Sequence, residues 1–328
     1  MTSQLYCGLD IHKDKYVACL LDKEGNELRN GSFPSTKEAI TQFFSGIDNT
    51  ITTVIIENCG MWRYAYKILK ESGFEVILTD GTKTKKIVGQ KKTDKNDAQV
   101  LSNLARTNYL PKLYIPPDDI ISYRDLTHHL HSIRDIRSRY KIKIKHELIK
   151  QGIKYQPNIW NIKGHAWLRM LKITSITSLV NLLEHINKEE KEIHQQVIKL
   201  SKQLKPTKLL MSIPGIAEYL ALVIYTEIGD INRFPSIKNL VMYSGLCPGI
   251  HQTGETDRQV RNIHSNRFLK YAFIEGSGCV AFKGGNKFEE KYIKIRNKKG
   301  MQTARRVIAR HMATIVWHML NKNEPYKH

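Results

Sequence analysis

The chain has 328 residues, 41% of them hydrophobic, with 52 Lys and Arg against 31 Asp and Glu, a formal net charge of +21. That length suits about two domains, and the hydrophobic share is enough to build cores, which excludes a wholly disordered basic tail. No apolar run approaches the ~18–20 residues of a membrane span, and MTSQLYCGLD has no secretory pattern. The five cysteines include no Cys-x-x-Cys pair, so neither a disulfide scaffold nor a cysteine zinc site is expected and a reducing cytoplasm is the default.

The first ~110 residues alternate strands and helices. Leu5–Leu9, Tyr16–Leu21 and Leu28–Phe33 read as an antiparallel meander, with turn chemistry at Glu24-Gly25-Asn26. Ser35 or Thr36 caps a predicted helix through Phe44, and the β-branched Thr52–Ile56 is a strand that stops at Glu57. A helix from Met61 to Glu71, a strand from Phe74 to Leu78, a lysine-rich loop and a helix from Asp94 to Arg106 follow. The order implies a mixed sheet with helices packed on it, an α/β domain over residues 1–112. Pro111, Pro116 and Pro117 mark its end.

From Asp118 to about Leu204 the pattern is a long helical hairpin. On its second arm Leu179, Leu183, Ile186, Ile193, Val197, Leu200 and Leu204 follow a 4-3 spacing, with Glu190 in one slot. That seam fits an internal hairpin or a dimer-forming coiled coil equally well. It makes residues 113–207 a linker and 208–328 a mostly helical third domain. In that domain Ala304, Val307, Ile308, Met312, Ile315 and Met319 form one apolar face.

The positive charge lies in runs. Six lysines fall between Lys83 and Lys95, nine Lys/Arg against three acids between Ile121 and Lys154, and fourteen against five between His251 and Arg310. Three such runs point to a nucleic-acid surface. Four acids stand out within this surplus. Asp10 ends the first strand, Glu57 ends a later one, and Asp94 and Asp97 share one face at the start of a helix. Carboxylates so placed suit two divalent ions, Mg²⁺ or Mn²⁺, that act on phosphate. Each acid also has a plain reading: a turn at Asp10, an N-cap at Asp94, a helix-dipole partner at Asp97 and a solvated strand end at Glu57.

Taken together, GLDIHKD with Asp10, IIENCG with Glu57 and KTDKNDA with Asp94 and Asp97 resemble the DEDD pattern of the IS one-ten family of insertion-sequence transposases, which includes the Piv-type DNA invertases. The segment LMSIPGIAEYLALVIYTEIGDINRFPSIKNLVMYSGLCPGIHQTG resembles that family's second conserved region. The resemblance implies a RuvC-like (RNase H-like) first domain, a coiled-coil hairpin and a helical transposase domain. It further implies cutting and rejoining of DNA through a covalent protein–DNA link, and a dimer or tetramer. It also admits targeting by a structured bridge RNA, although no residue here shows a preference for RNA over DNA.

In the family a serine in a Ser-Gly context is the nucleophile. The matching position here is Thr253, in Gln252-Thr253-Gly254, where the β-methyl crowds the hydroxyl. Ser244, Thr256 and Ser265 are neighbouring hydroxyls that do not align. Ser212 to Ile216, with a Pro-Gly turn, resembles a helix-hairpin-helix element; it is either a phosphate site or a simple turn before a core helix. Without cysteine pairs, His12, His128, His129, His131, His264 and His311 read as surface or phosphate contacts rather than zinc ligands, and Tyr271 as packing. Rival functions are a Piv-type invertase, a metal-dependent junction nuclease using water, and a decayed nucleic-acid-binding relative.

Overall fold

The computed structural model describes residues 4–88, 94–155, 158–247, 249–253, 256–260, 265–280 and 287–326, with the backbone alone at 88, 94, 95, 249–253 and 256–260. It divides into two compact units, Met1–Ile115 and Pro116–His328.

In the first unit, β1 (Leu5–Ile11), β2 (Lys15–Leu21) and β3 (Glu27–Pro34) form the predicted meander. β4 (Thr52–Glu57) and β5 (Glu75–Thr79) then extend the sheet in parallel on the other side of β1, giving the order β3-β2-β1-β4-β5. α1 (Lys37–Phe43) starts at Thr36, whose hydroxyl accepts from the Ala39 N–H at 3.2 Å. α1 and α2 (Trp62–Glu71) cover one face of the sheet. There Ile40, Ala65, Ile68 and Leu69 meet Cys7, Leu9, Ala18, Leu20, Val54 and Ile56.

α3 (Gly81–Val88) occupies a stretch that reads as a lysine-rich loop. Its TKTKK run shows no apolar stripe. The helix is set instead by Asp80, whose carbonyl accepts from Thr84 N–H and whose carboxylate accepts from Thr82 N–H. α4 (Asp94–Arg106) covers the opposite face of the sheet: Ala98 packs against Val17, Cys19 and Leu21, and Leu101 and Leu104 against Ile55.

The second unit opens with the long hairpin, α5 (Asp118–Lys150) and α7 (Thr174–Gln203), which pack on each other within one chain. Its tip is itself folded, holding α6 (Ile162–Met170), capped by the Asn161 side chain on Gly164 N–H. The buried line on α7 runs Ile176, Val180, Leu183, Glu190, Val197, Ser201. It shares Leu183, Glu190 and Val197 with the predicted seam but is turned toward Ile176, Val180 and Ser201, leaving Leu179, Ile186, Ile193 and Leu200 half-buried.

α8 (Lys205–Leu210), α9 (Glu218–Ile228), α10 (Ile237–Tyr243), α11 (Arg267–Val280), α12 (Lys287–Lys299) and α13 (Met301–Lys322) complete the unit. One core joins Leu130 of α5 and Val197 of α7 to Leu222, Ile224, Phe273, Ile308 and Met312. The third-domain sequence reads as mostly helical, yet β6 (Gly249–Thr253) and β7 (Thr256–Val260) form an antiparallel hairpin between α10 and α11. The Pro214-Gly215 turn links α8 to α9 as expected. It is packed rather than open: at Gly215 (φ +85°) a Cβ would lie 2.6 Å from the Gly276 carbonyl of α11. Among the described residues no helix is long and apolar enough to cross a membrane.

Candidate active site

Two acids are placed by strand register alone. β1 pairs in parallel with β4 through Leu9 opposite Ile56, so the next step along both strands reaches Asp10 and Glu57. Side chains alternate across a strand, and Leu9 and Ile56 point into the α1–α2 core. Asp10 and Glu57 therefore stand on the α4 side, at the carboxyl ends of neighbouring strands. Asp10 is only 14% exposed, and its Oδ2 lies 2.9 Å from His12 Nε2. Glu57 is tethered from α3: the buried Thr84 hydroxyl donates to Glu57 Oε1 at 3.0 Å. Gly81 opens a cradle for the other oxygen, since a Cβ there would lie 2.6 Å from Glu57 Oε2.

The helix that carries the other two acids is seated by a missing side chain. A Cβ at Gly8 would lie 2.0 Å from the Ala98 carbonyl and 2.8 Å from Leu101 Cβ, so only glycine lets α4 lie this close on β1. The buried Ser102 hydroxyl fastens the contact, accepting from Gly8 N–H at 2.6 Å and donating to the Cys19 carbonyl at 2.7 Å. Asp97 directly precedes Ala98, and Asp94 begins the helix, where the N-terminal partial charge favours carboxylates. Asp97 is half-buried, and the Asp94 side chain lies outside the described residues.

Among the described residues no three His, Cys, Asp or Glu groups close into a metal cluster. Asp10, Glu57 and Asp97 nonetheless supply hard oxygen donors on one side of the sheet, with a glycine cradle beside one of them. That donor set suits a hard divalent cation rather than zinc.

A family model for DEDD transposases of the IS110 type matches residues 7–151, and a second, described as the transposase IS116/IS110/IS902 family, matches residues 207–293. The chain belongs to the IS110 family of transposases. The transposase for insertion sequence element IS1111A of Coxiella burnetii is 23% identical, over 98% of this chain and 90% of that relative. The pilin gene-inverting protein of Moraxella bovis is 24% identical, over 99% of this chain and 98% of its own length. The transposase for insertion sequence element IS1328 of Yersinia enterocolitica is 23% identical over 75% of each chain.

The second IS110 region holds the other candidates. Thr253 is the last residue of β6, paired in register with Thr256 across the hairpin. Its side chain, like that of Thr256, is outside the described residues. Of the remaining neighbouring hydroxyls, Ser244 is fully buried and donates to the Leu240 carbonyl at 2.7 Å, which removes it as a nucleophile. Ser265 lies against Gly245, where a Cβ would meet its Oγ at 2.5 Å.

The histidines correct the surface reading in part. His129 and His311 are exposed, His311 edge-on against Phe288, His12 is part-exposed beside Asp10, and His264 lies outside the described residues; the departures are His128 and His131. His128 stacks on Phe268 at 3.6 Å, and its Nε2 lies 2.6 Å from Glu227 Oε1. His131 packs against Phe268 and Tyr271, and burial holds its pKa below the usual histidine range.

Sequence reasoning missed Glu227 entirely. It is 2% exposed, on the last turn of an apolar helix, with Arg124 Nε at 3.6 Å and an Asn266 amide at 2.5 Å. Burial alone would raise its pKa, but the His128 bond, the Arg124 charge and the Asn266 bond outweigh it and hold the carboxyl below the usual range. A charged residue inside the apolar run EYLALVIYTEI is the one signal that pointed to it.

Proposed function

We propose that this chain is the DNA transposase of an insertion sequence, with Asp10, Glu57, Asp94 and Asp97 as its catalytic tetrad and Thr253 as its nucleophile. The observation that carries the reading is the pair Asp10 and Glu57, at adjacent parallel strand ends on the face covered by the helix of Asp94 and Asp97. The strand order β3-β2-β1-β4-β5, antiparallel on one side of β1 and parallel on the other, supports a RuvC-like fold for the first unit. The sequence division into residues 1–112, 113–207 and 208–328 serves as a division of labour: tetrad, hairpin, and nucleophile-bearing region.

The four carboxylates would hold Mg²⁺ or Mn²⁺, which when bound supplies polarisation of the scissile phosphate. Thr84 and Gly81 fix the direction of the Glu57 carboxylate, and Gly8 fixes the seat of α4. The Thr253 hydroxyl oxygen forms a bond to the scissile phosphorus as the phosphorus–oxygen bond to deoxyribose breaks. The hydroxyl proton goes to solvent, and the departing deoxyribose oxygen takes one up. The phosphodiester is conserved as a protein–DNA ester, so a second strand can be joined to it. The basic runs hold DNA. Guidance by a bridge RNA, assembly as a dimer or tetramer, and a cytoplasmic setting belong to the same proposal through the family resemblance. The pilin gene-inverting relatives, matched over nearly their whole length, favour a second reading as a Piv-type site-specific invertase.

The test is to incubate end-labelled DNA from the gene's own flanks with the protein and Mg²⁺, then look for a denaturation-resistant protein–DNA adduct. Thr253→Ala should abolish the adduct, and Asp10→Asn should abolish both adduct and cleavage while DNA binding stays. An adduct that survives Thr253→Ala sinks the nucleophile assignment, and cleavage with no adduct at all indicates a nuclease that uses water. Binding with no activity to lose indicates a decayed relative. Inversion of a flanking segment favours the invertase.

A further inference from the structure

The segment that carries Thr253 leaves the helical unit at the end of α10 and returns at the start of α11, and these two points are tied together. Asn266 N–H donates to the Tyr243 carbonyl at 2.7 Å, and the Asn266 amide donates to the Tyr243 hydroxyl at 3.2 Å. Two residues beyond Tyr243, Gly245 (φ +64°) lets Ser265 lie where a Cβ would be only 2.5 Å from the serine hydroxyl. Arg310 of α13 holds the Leu246 carbonyl at 3.0 Å. These contacts close a neck beneath the β6–β7 hairpin.

Asn266 is the keystone of that neck because each of its polar groups has a separate task. Its Oδ1 accepts from Leu269 N–H at 2.8 Å, capping α11. Its amide also donates to Glu227 Oε2 at 2.5 Å. Glu227 is in turn held by His128 and Arg124 of α5, and Arg124 also grips the Thr226 carbonyl at 2.6 Å. Phe268, two residues beyond Asn266, is stacked on His128 and covered by the Arg267 guanidinium at 4.8 Å. The start of α11 is thus fixed to α5 and α9 by one hydrogen bond to a buried carboxylate and one aromatic stack. A buried charge is costly unless several partners satisfy it, and here three partners from 39 to 103 residues away (Arg124, His128, Asn266) converge on one carboxylate.

We propose that Glu227, acting through Asn266, is a positioning residue that fixes the root of the Thr253-bearing hairpin and so sets where that hydroxyl is presented. Neither residue touches the reacting atoms. This inference rests on the Thr253 reading, and its test has a part that does not need DNA.

The test swaps donor and acceptor in the full-length protein. Asn266→Asp keeps the helix-capping oxygen but sets a carboxylate against Glu227. Combining it with Glu227→Gln restores the bond in the reverse sense, because the new Gln amide donates to the new Asp while its oxygen still accepts from His128. Hydrogen exchange of the β6 and β7 amides is measured first. Asn266→Asp should speed their exchange roughly tenfold or more, and the double variant should bring it back to within about threefold. The rate of adduct formation at saturating DNA should fall and recover in parallel, with DNA affinity unchanged. Asn266→Ser, which caps α11 but does not reach Glu227, serves as the second variant if Asn266→Asp does not fold.

Unchanged exchange in the single variant, or no recovery in the double, overturns the positioning role. If the unsubstituted protein forms no adduct, the nucleophile assignment falls while the exchange result still decides the clamp.

Discussion

The two units treat their carboxylates in opposite ways. In the first, Asp10, Glu57 and Asp97 are half-buried at strand ends and on a helix's first turn, placed on one side of the sheet by backbone pairing and one glycine. In the second, the informative acids are consumed inside. Glu190, 9% exposed in the hairpin seam, is bonded by Arg134 at 3.1 Å and by Arg137, and Glu227 is locked by Arg124, His128 and Asn266. Carboxylates at strand ends keep part of their surface toward solvent, whereas those enclosed by several partners hold helices in place. Counting acids in a basic protein therefore says little until each one's partners are known.

The sharpest way to break the contrast is at Gly8. Gly8→Ala forces a Cβ against the Ala98 carbonyl and Leu101, and should cost about 3 kcal/mol or more as α4 lifts from the sheet. A denaturant midpoint measures that loss, and strand cleavage should disappear with it. Next in size is Glu190→Ala, which leaves two half-buried arginines facing each other. It should cost about 2 kcal/mol by the same measurement, with the first unit's own unfolding unaffected.

Thr84→Val tests the outward-facing site directly. Losing the hydroxyl that holds Glu57 should lower cleavage about 10- to 100-fold while stability falls by only about 1 kcal/mol. Cleavage unchanged in Thr84→Val would remove the tether from the site.

The smallest effect is on pH. Burial holds His131, His194 and His311 of the second unit below the usual histidine range, so the folded state binds fewer protons there than the unfolded chain. The stability they contribute is present above the ordinary value near 6.5 and is lost as pH falls from there toward their folded values. Thermal melts between pH 8 and 5 should show this decline, and His131→Gln should flatten it.

Much of the first unit was legible because its forces are local. The meander follows from short apolar runs with turn chemistry at Glu24-Gly25-Asn26, α1 from the Thr36 cap, and α4 from the 3.6-residue pattern between Asp94 and Arg106. The positions of Asp10 and Glu57 follow once those strands pair. α3 escaped because its apolar content is slight and its start is written in Asp80, outside the helix.

The second unit was harder for a different reason. The hairpin seam is turned toward Ser201, polar in sequence, which is buried with its hydroxyl donating to the Glu218 carbonyl at 2.9 Å, while Glu190 keeps its seam position through two arginines of α5. β6 and β7 carry GIHQT and TDRQV, which lack the apolar alternation of a half-buried strand. The Glu227 cluster joins residues on α5, α9 and α11, and no window along the chain contains it.

The Ser102 hydroxyl carries one more consequence, for the order of folding. It lies between the Gly8 N–H and the Cys19 carbonyl, which belong to residues facing each other across β1 and β2. At that point the strand pair is braced by a side chain more than eighty residues downstream. The meander, although contiguous in sequence, is therefore coupled to the docking of α4 through one hydroxyl that bonds both of its first two strands. A fragment ending at residue 88 should accordingly be strongly destabilised, because the helix that covers one face of its sheet and braces its central pair lies beyond its end.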